Sequence, residues 1–208
     1  MIYDITRTIT EHISVWPGDY RFSTTQQMKL ADGASVNLFT MTISAHTGTH
    51  MDAYHHFDTA PIHPAQMPLD AYIGKARVVT VDKRNAPLLP DDFAGHDFTD
   101  AQRLLIHSHV SNLPDDQWAT DFPYLSAELV AWLSTTFNIR LIGLDSPSVD
   151  AFDSTDLPSH HALKQHNMVN LENLLLRDVP DGDYELIALP LKIDGVCGSP
   201  VRAILRTL

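Results

Sequence analysis

Apolar residues along the chain fall mainly into short runs bounded by Gly, Pro, Asn and Asp, a pattern that predicts a strand-rich protein. The runs are Ile2–Thr6, Val36–Ala45, Ala76–Val81, Arg103–Ser108, Ile139–Leu144, Tyr184–Leu189 and Pro200–Leu205. Ile139–Leu144 and Tyr184–Leu189 are largely apolar rather than alternating, as strands covered on both faces are. One segment has clear helical spacing: Leu129, Val130, Leu133 and Phe137 form a stripe along Ala127–Phe137. Ser126 is placed to cap that helix, and Glu128 sits favourably in its first turn. Weaker helical signals cover His160–His166 and Asn170–Leu175, and Trp16-Pro-Gly-Asp19 reads as a turn. The expectation is an α/β protein with mixed strands and few helices, in layered α/β or β/β/α form.

Composition narrows the functional classes. The 208 residues suit a single domain over positions 1–208, and 44% hydrophobic with 19% charged residues is ordinary for a globular chain. Lys and Arg total 14 against 26 Asp and Glu, a formal charge of −12, which disfavours nucleic acid and anionic membranes as partners. No apolar stretch approaches a membrane span, and the N-terminus lacks a charged-then-apolar leader, so a cytoplasmic protein is expected. The single Cys197 excludes an internal disulfide and every zinc motif built on Cys pairs, and it reads as structural. Neither a phosphate-binding glycine loop nor a Gly-x-Ser-x-Gly elbow is present, which weakens nucleotide chemistry and a serine nucleophile at Ser146 or Ser148.

The twelve His residues are unevenly spread, with His46, His50, His55, His56 and His63 inside 18 positions and His160, His161 and His166 in a second group. An extended backbone gives His46, His50 and Asp52 one parity and one face. Two imidazoles and a carboxylate suit Zn²⁺ or another divalent transition metal, whereas an ordinary His-x-x-x-His is more often a solvated loop. His56 reads as a further ligand or a free acid/base, and His55 as surface. Glu172, in an apolar run, either faces solvent at a helix start or joins His160 to complete the first metal or hold a second.

The stretch His46-Thr-Gly-Thr-His50-Met-Asp52, followed by His56, resembles the signature of the cyclase-type metal-dependent hydrolases. Within that family, several blocks resemble the bacterial kynurenine formamidases (arylformamidases). They include Val15-Trp-Pro-Gly-Asp19, Gly143-Leu-Asp-Ser-Pro-Ser-Val149, Ser159-His-His-Ala-Leu163, Leu171-Glu-Asn-Leu174 and Gly198-Ser-Pro-Val-Arg-Ala203, and together the matches span nearly the whole chain.

The resemblance implies a swivelling β/β/α fold, a homodimer and two Zn²⁺ per chain, with Mn²⁺ or Co²⁺ as alternatives. His46, His50 and Asp52 would hold one metal. Asp52 would bridge to a second, held also by His160 and Glu172. His56 would move protons and Trp16 would contact the substrate's aromatic ring, although the residues alone leave Trp16 as a turn residue capping the core.

The implied reaction is hydrolysis of N-formyl-L-kynurenine, an aromatic formamide, to L-kynurenine and formate by metal-activated water, a step of tryptophan degradation. Two alternatives remain: a cyclic-amide hydrolase of the isatin type, and a non-catalytic metal-binding protein. Tyr54 stands where the family commonly has proline, an exchange that would add bulk near the pocket and is the feature favouring the cyclic amide.

Overall fold

The structure, a computed structural model, describes residues 1–208. Its strands are β1 (Ile2–Asp4), β2 (Ser23–Met28), β3 (Leu38–Thr42), β4 (His50–Asp52), β5 (Ile73–Thr80), β6 (Pro87–Leu88) and β7 (Arg103–His107), then β8 (Tyr124–Leu125). Helix α1 (Ala127–Phe137) precedes β9 (Leu141–Leu144), and α2 (Pro158–Gln165) precedes β10 (Val169–Leu171). The chain ends with β11 (Gly182–Ile187), β12 (Gly198–Pro200) and β13 (Ile204–Thr207).

Seven strands form one mixed sheet in the order β1-β13-β11-β5-β7-β9-β10. The pairs from β1 to β5 are antiparallel, and β5, β7, β9 and β10 run parallel. Alternating side chains feed two cores. Leu104, Ile106, Ile142 and Leu144 pack with Leu129, Val130, Leu133 and Leu163 of the helices. On the opposite face Val78, Leu105, Leu141 and Leu186 pack with Met51 of β4 and Tyr72. The short β4–β12 ribbon, the large sheet and the helices therefore form the β/β/α layering expected. Gly143 is needed where the layers close, because a Cβ there would lie 2.6 Å from Leu105 Cδ2 and 2.7 Å from Leu174 Cδ1.

Helix α1 has the expected bounds, with Ser126 Oγ accepting from Leu129 N at 3.0 Å and Asn138 closing it in left-handed geometry. Two expectations are corrected. Asn170–Leu175 is not helical: Val169–Leu171 lies parallel beside β9, and its buried apolar run fills a two-sided strand position. The run Pro200–Leu205 is split, its start pairing with β4 and its end with the large sheet. Val36–Ala45 shortens to Leu38–Thr42, and its partner Ser23–Met28 was not anticipated.

Candidate metal centre

Strand β4 brings His50 and Asp52 into the interior, where both are 2% exposed. The common parity expected for His46 fails: Ala45–Thr49 is a turn, and Gly48 has φ of +64°. That turn folds His46 back beside the strand, leaving its Nδ1 2.9 Å from Asp52 Oδ1. A Cβ on Gly48 would also press on Ile13 and Ile9 at 3.2 and 3.3 Å. Glu172 follows β10 directly, and its backbone exchanges two hydrogen bonds with that of His50. It is 4% exposed, so the solvent-facing reading of Glu172 is overturned. His160 is buried on α2 whereas His161 points outward, which separates the two neighbours.

These five side chains converge. His50 Nε2 lies 3.6 Å from Asp52 Oδ1 and 3.3 Å from Glu172 Oε2. His160 Nε2 lies 3.3 Å from Asp52 Oδ2 and 3.7 Å from Glu172 Oε1. Donor atoms about 2.0–2.2 Å from a shared ion sit roughly 3–3.6 Å from one another, so the spacing fits divalent cations. Asp52 Oδ1 is buried without an aligned hydrogen-bond donor, the condition of an oxygen reserved for a cation. His50 Nδ1–H donates to Gly48 O at 2.8 Å and His160 Nδ1–H to Asp150 Oδ2 at 2.7 Å. Both Nε2 atoms are thereby turned toward the carboxylates. His46 Nε2 lies 3.1 Å from Cys197 Sγ.

Charge gives the same result. Burial alone would raise the Asp52 carboxyl, but the His160 and His46 imidazoles outweigh it and hold Asp52 well below its ordinary range. Burial disfavours protonation of His160, yet Asp150 and Asp52 push its pKa up to about 10. His46 is likewise pushed up to about 10, against burial, by Asp52 and Cys197. The cluster demands positive charge, and a divalent cation satisfies that demand.

The centre opens into a cavity of about 460 Å³ lined by His46, His50, His56, His160, Glu172 and Cys197. Trp16 and Trp118 also line it, their rings 5.3 Å apart edge to face, and Phe152 lies 5.2 Å from Trp16. His56 follows β4 in a short 3₁₀ turn, exposed to this cavity, with its ring 4.2 Å from that of His46. Tyr54 takes no part in the cavity wall. It packs on the core beside Phe57 and donates its hydroxyl to Met168 O at 3.0 Å, which corrects the expectation of bulk near the pocket. Cys197 is a cavity-wall thiol rather than a core residue, its pKa lowered to about 6 by His46 and His56 against burial.

A profile of the Cyclase family, described as "Putative cyclase", matches residues 3–151. The kynurenine formamidase of Salinibacter ruber is 41% identical over 206 residues, 99% of this chain and 97% of that protein. The chain belongs to the kynurenine formamidase group of the cyclase family. Among solved structures, a potential metal-dependent hydrolase with cyclase activity superposes with a TM-score of 0.84 at 24% identity, covering 99% of this chain and 96% of that one. Isatin hydrolase A from Labrenzia aggregata, bound to benzyl benzoate, gives 0.82 at 25% identity over 100% and 94%.

For a cyclase-family chain, sequence reasoning missed Asp150, Asn170 and Trp118. Asp150 accepts Ser159 N and His160 N at 2.8 and 3.1 Å as well as the His160 ring, so one carboxylate caps α2 and aims its imidazole. Its place in a loop after a buried strand was the available signal. Asn170 donates to Asp52 Oδ2 at 2.6 Å and to Glu172 Oε1 at 3.1 Å.

Proposed function

We propose that this protein hydrolyses N-formyl-L-kynurenine to L-kynurenine and formate. The full-length identity to a kynurenine formamidase carries the reading, and the aromatic-rimmed cavity over a His/Asp/Glu cluster supports it. His46, His50 and Asp52 would hold one divalent cation. His160, Glu172 and the second oxygen of Asp52 would hold another. Zn²⁺ suits these nitrogen and oxygen donors. When bound, the cations supply Lewis-acid polarisation of the formyl carbonyl and lower the pKa of water.

The remaining work falls to the chain. Trp16, with Trp118 and Phe152 behind it, orients the aniline ring by stacking. His56 takes a proton from the attacking water as it bonds to the formyl carbon. It then delivers that proton to the aryl nitrogen as the C–N bond breaks, releasing the amine and formate. Of the four imidazoles that line the cavity, His56 is the exposed one, which suits a group that must exchange protons.

The isatin-type reading rested on Tyr54, and with that residue packed against the core, outside the cavity lining, that support is lost. The two substrates assayed side by side test the choice. Turnover of N-formyl-L-kynurenine with little of isatin is expected, and the reverse would overturn the assignment.

We further read residues 1–208 as one domain, because both cores share one sheet. We infer a homodimer, a reading supported by apolar residues left exposed on the β2–β3 hairpin, where Leu38, Phe39 and Met41 are 49%, 55% and 65% exposed. Beside it lies an apolar groove of about 360 Å³ that includes Leu191 and Ile193. A monomeric mass by light scattering would contradict the dimer. No helix is long and apolar enough to cross a membrane. We infer a cytoplasmic setting, in which a cavity-wall thiol such as Cys197 would stay reduced.

A further inference from the structure

The four carboxylate oxygens at the centre are sorted into two sets. Asp52 Oδ1 and Glu172 Oε2 face the His50 ring, with His46 also at Asp52 Oδ1. Asp52 Oδ2 and Glu172 Oε1 face His160. Nothing in the covalent structure imposes this, since a carboxylate on a rotatable bond can turn its oxygens elsewhere. Two acids packed together in a buried site also repel each other unless donors or cations lie between them.

Asn170 supplies that constraint. It is 2% exposed, and its backbone is fixed in register opposite Ile142 of the neighbouring strand β9. Residues two apart on a strand share a face, so Asn170 stands beside Glu172 and points at the same centre. Its single Nδ2 donates to Asp52 Oδ2 at 2.6 Å and Glu172 Oε1 at 3.1 Å, one hydrogen for each acid. Val149 N makes a third bond, the second to Glu172 Oε1, at 3.0 Å. All three bonds fall on the His160-facing oxygens, and none reaches Asp52 Oδ1 or Glu172 Oε2. Asp52 Oδ2 accepts one of these bonds and keeps a further lone pair, whereas Asn170 and Val149 take both lone-pair sites of Glu172 Oε1 and leave Glu172 Oε2 open to a cation.

We propose that Asn170 is a positioning residue whose carboxamide locks the rotation of Asp52 and Glu172, presenting one oxygen of each to His160 and the other to the His46–His50 side. This rests on the metal reading above and adds to it a residue that touches no cation. The test is equilibrium binding of Zn²⁺ and Co²⁺ to metal-stripped protein by chelator competition, with the visible spectrum of bound Co²⁺ reporting ligand geometry. Asn170→Ala removes both donors and is expected to raise the dissociation constants about 10–100-fold and alter the Co²⁺ spectrum. Asn170→Ser, which keeps one hydroxyl donor and is the variant to use should alanine fail to fold, is expected to fall between alanine and wild type. Folded variants with wild-type constants and spectra overturn the role of Asn170 while leaving the metal reading intact. Wild-type protein that binds neither ion overturns both.

Discussion

Gly198 is the position where a single methyl group tests the geometry of the centre most sharply. It lies in β12 directly opposite Asp52, and a Cβ there would stand 2.8 Å from His46 Cε1, 3.2 Å from His46 Nδ1 and 2.9 Å from Met51 O. Carbon atoms in contact prefer about 3.5–4.0 Å, so in Gly198→Ala the His46 ring must retreat by roughly 0.7 Å or more. Met51 O belongs to the ladder strand and cannot swing aside as a side chain can. Overpacking of this kind costs about 1–3 kcal/mol, and for a chain of this length each kcal/mol lowers Tm by roughly 2–4 °C.

The larger effect is on the centre. Metal–ligand distances tolerate about 0.2 Å, so a displaced His46 is lost as a ligand, and misplacement near 1 Å costs about 100-fold in rate. The assay pairs thermal unfolding of the metal-stripped protein with its Zn²⁺ affinity and formamidase turnover. A Gly198→Ala protein that keeps wild-type affinity and turnover would refute the placement of His46 at the centre.

Three other outcomes follow from the same structure. Asp150→Asn keeps the shape but removes the carboxylate that aims His160 and caps α2, so metal affinity is expected to fall about 10–100-fold by chelator competition. Ser126→Ala removes the cap of α1 and is expected to cost about 0.5–2 kcal/mol in urea unfolding without changing turnover. Arg77 holds the Asp183 carboxyl below its ordinary value through bonds of 2.6 and 2.8 Å, so this pair stabilises the fold above pH of about 4 and the contribution is lost as pH falls through the lowered value. Asp183→Asn should therefore be less stable than wild type near neutrality, with the two converging in acid; a gap that persists or widens in acid would contradict the pairing.

Much of the centre was legible because its residue types are chemically specific. His46, His50, Asp52 and His56 lie in one short segment, and His160 with Glu172 in a second, and the fold brings the two together. What was misread traces to backbone period. A helix over Asn170–Leu175 separates Asn170 from Glu172, whereas the strand puts them on one face, and so the clamp was invisible. His46 was assigned to a strand that Gly48 interrupts with a left-handed turn. Asp150 reaches His160 across ten positions through a loop whose course no periodicity encodes. The β2 strand Ser-Thr-Thr-Gln-Gln-Met is polar and largely exposed, so it has no buried face to leave an alternating signature.

Hydrolysis here would depend on a bound cation and on His56 as the group that moves the proton. The most direct measurement is N-formyl-L-kynurenine turnover on protein of known metal content, before and after chelation, in wild type and His56→Ala. Activity is expected to disappear on chelation, to return with Zn²⁺, and to be lost in His56→Ala while the metal content stays at the wild-type level. Undiminished turnover in the stripped protein, or in a fully loaded His56→Ala, would contradict this mechanism.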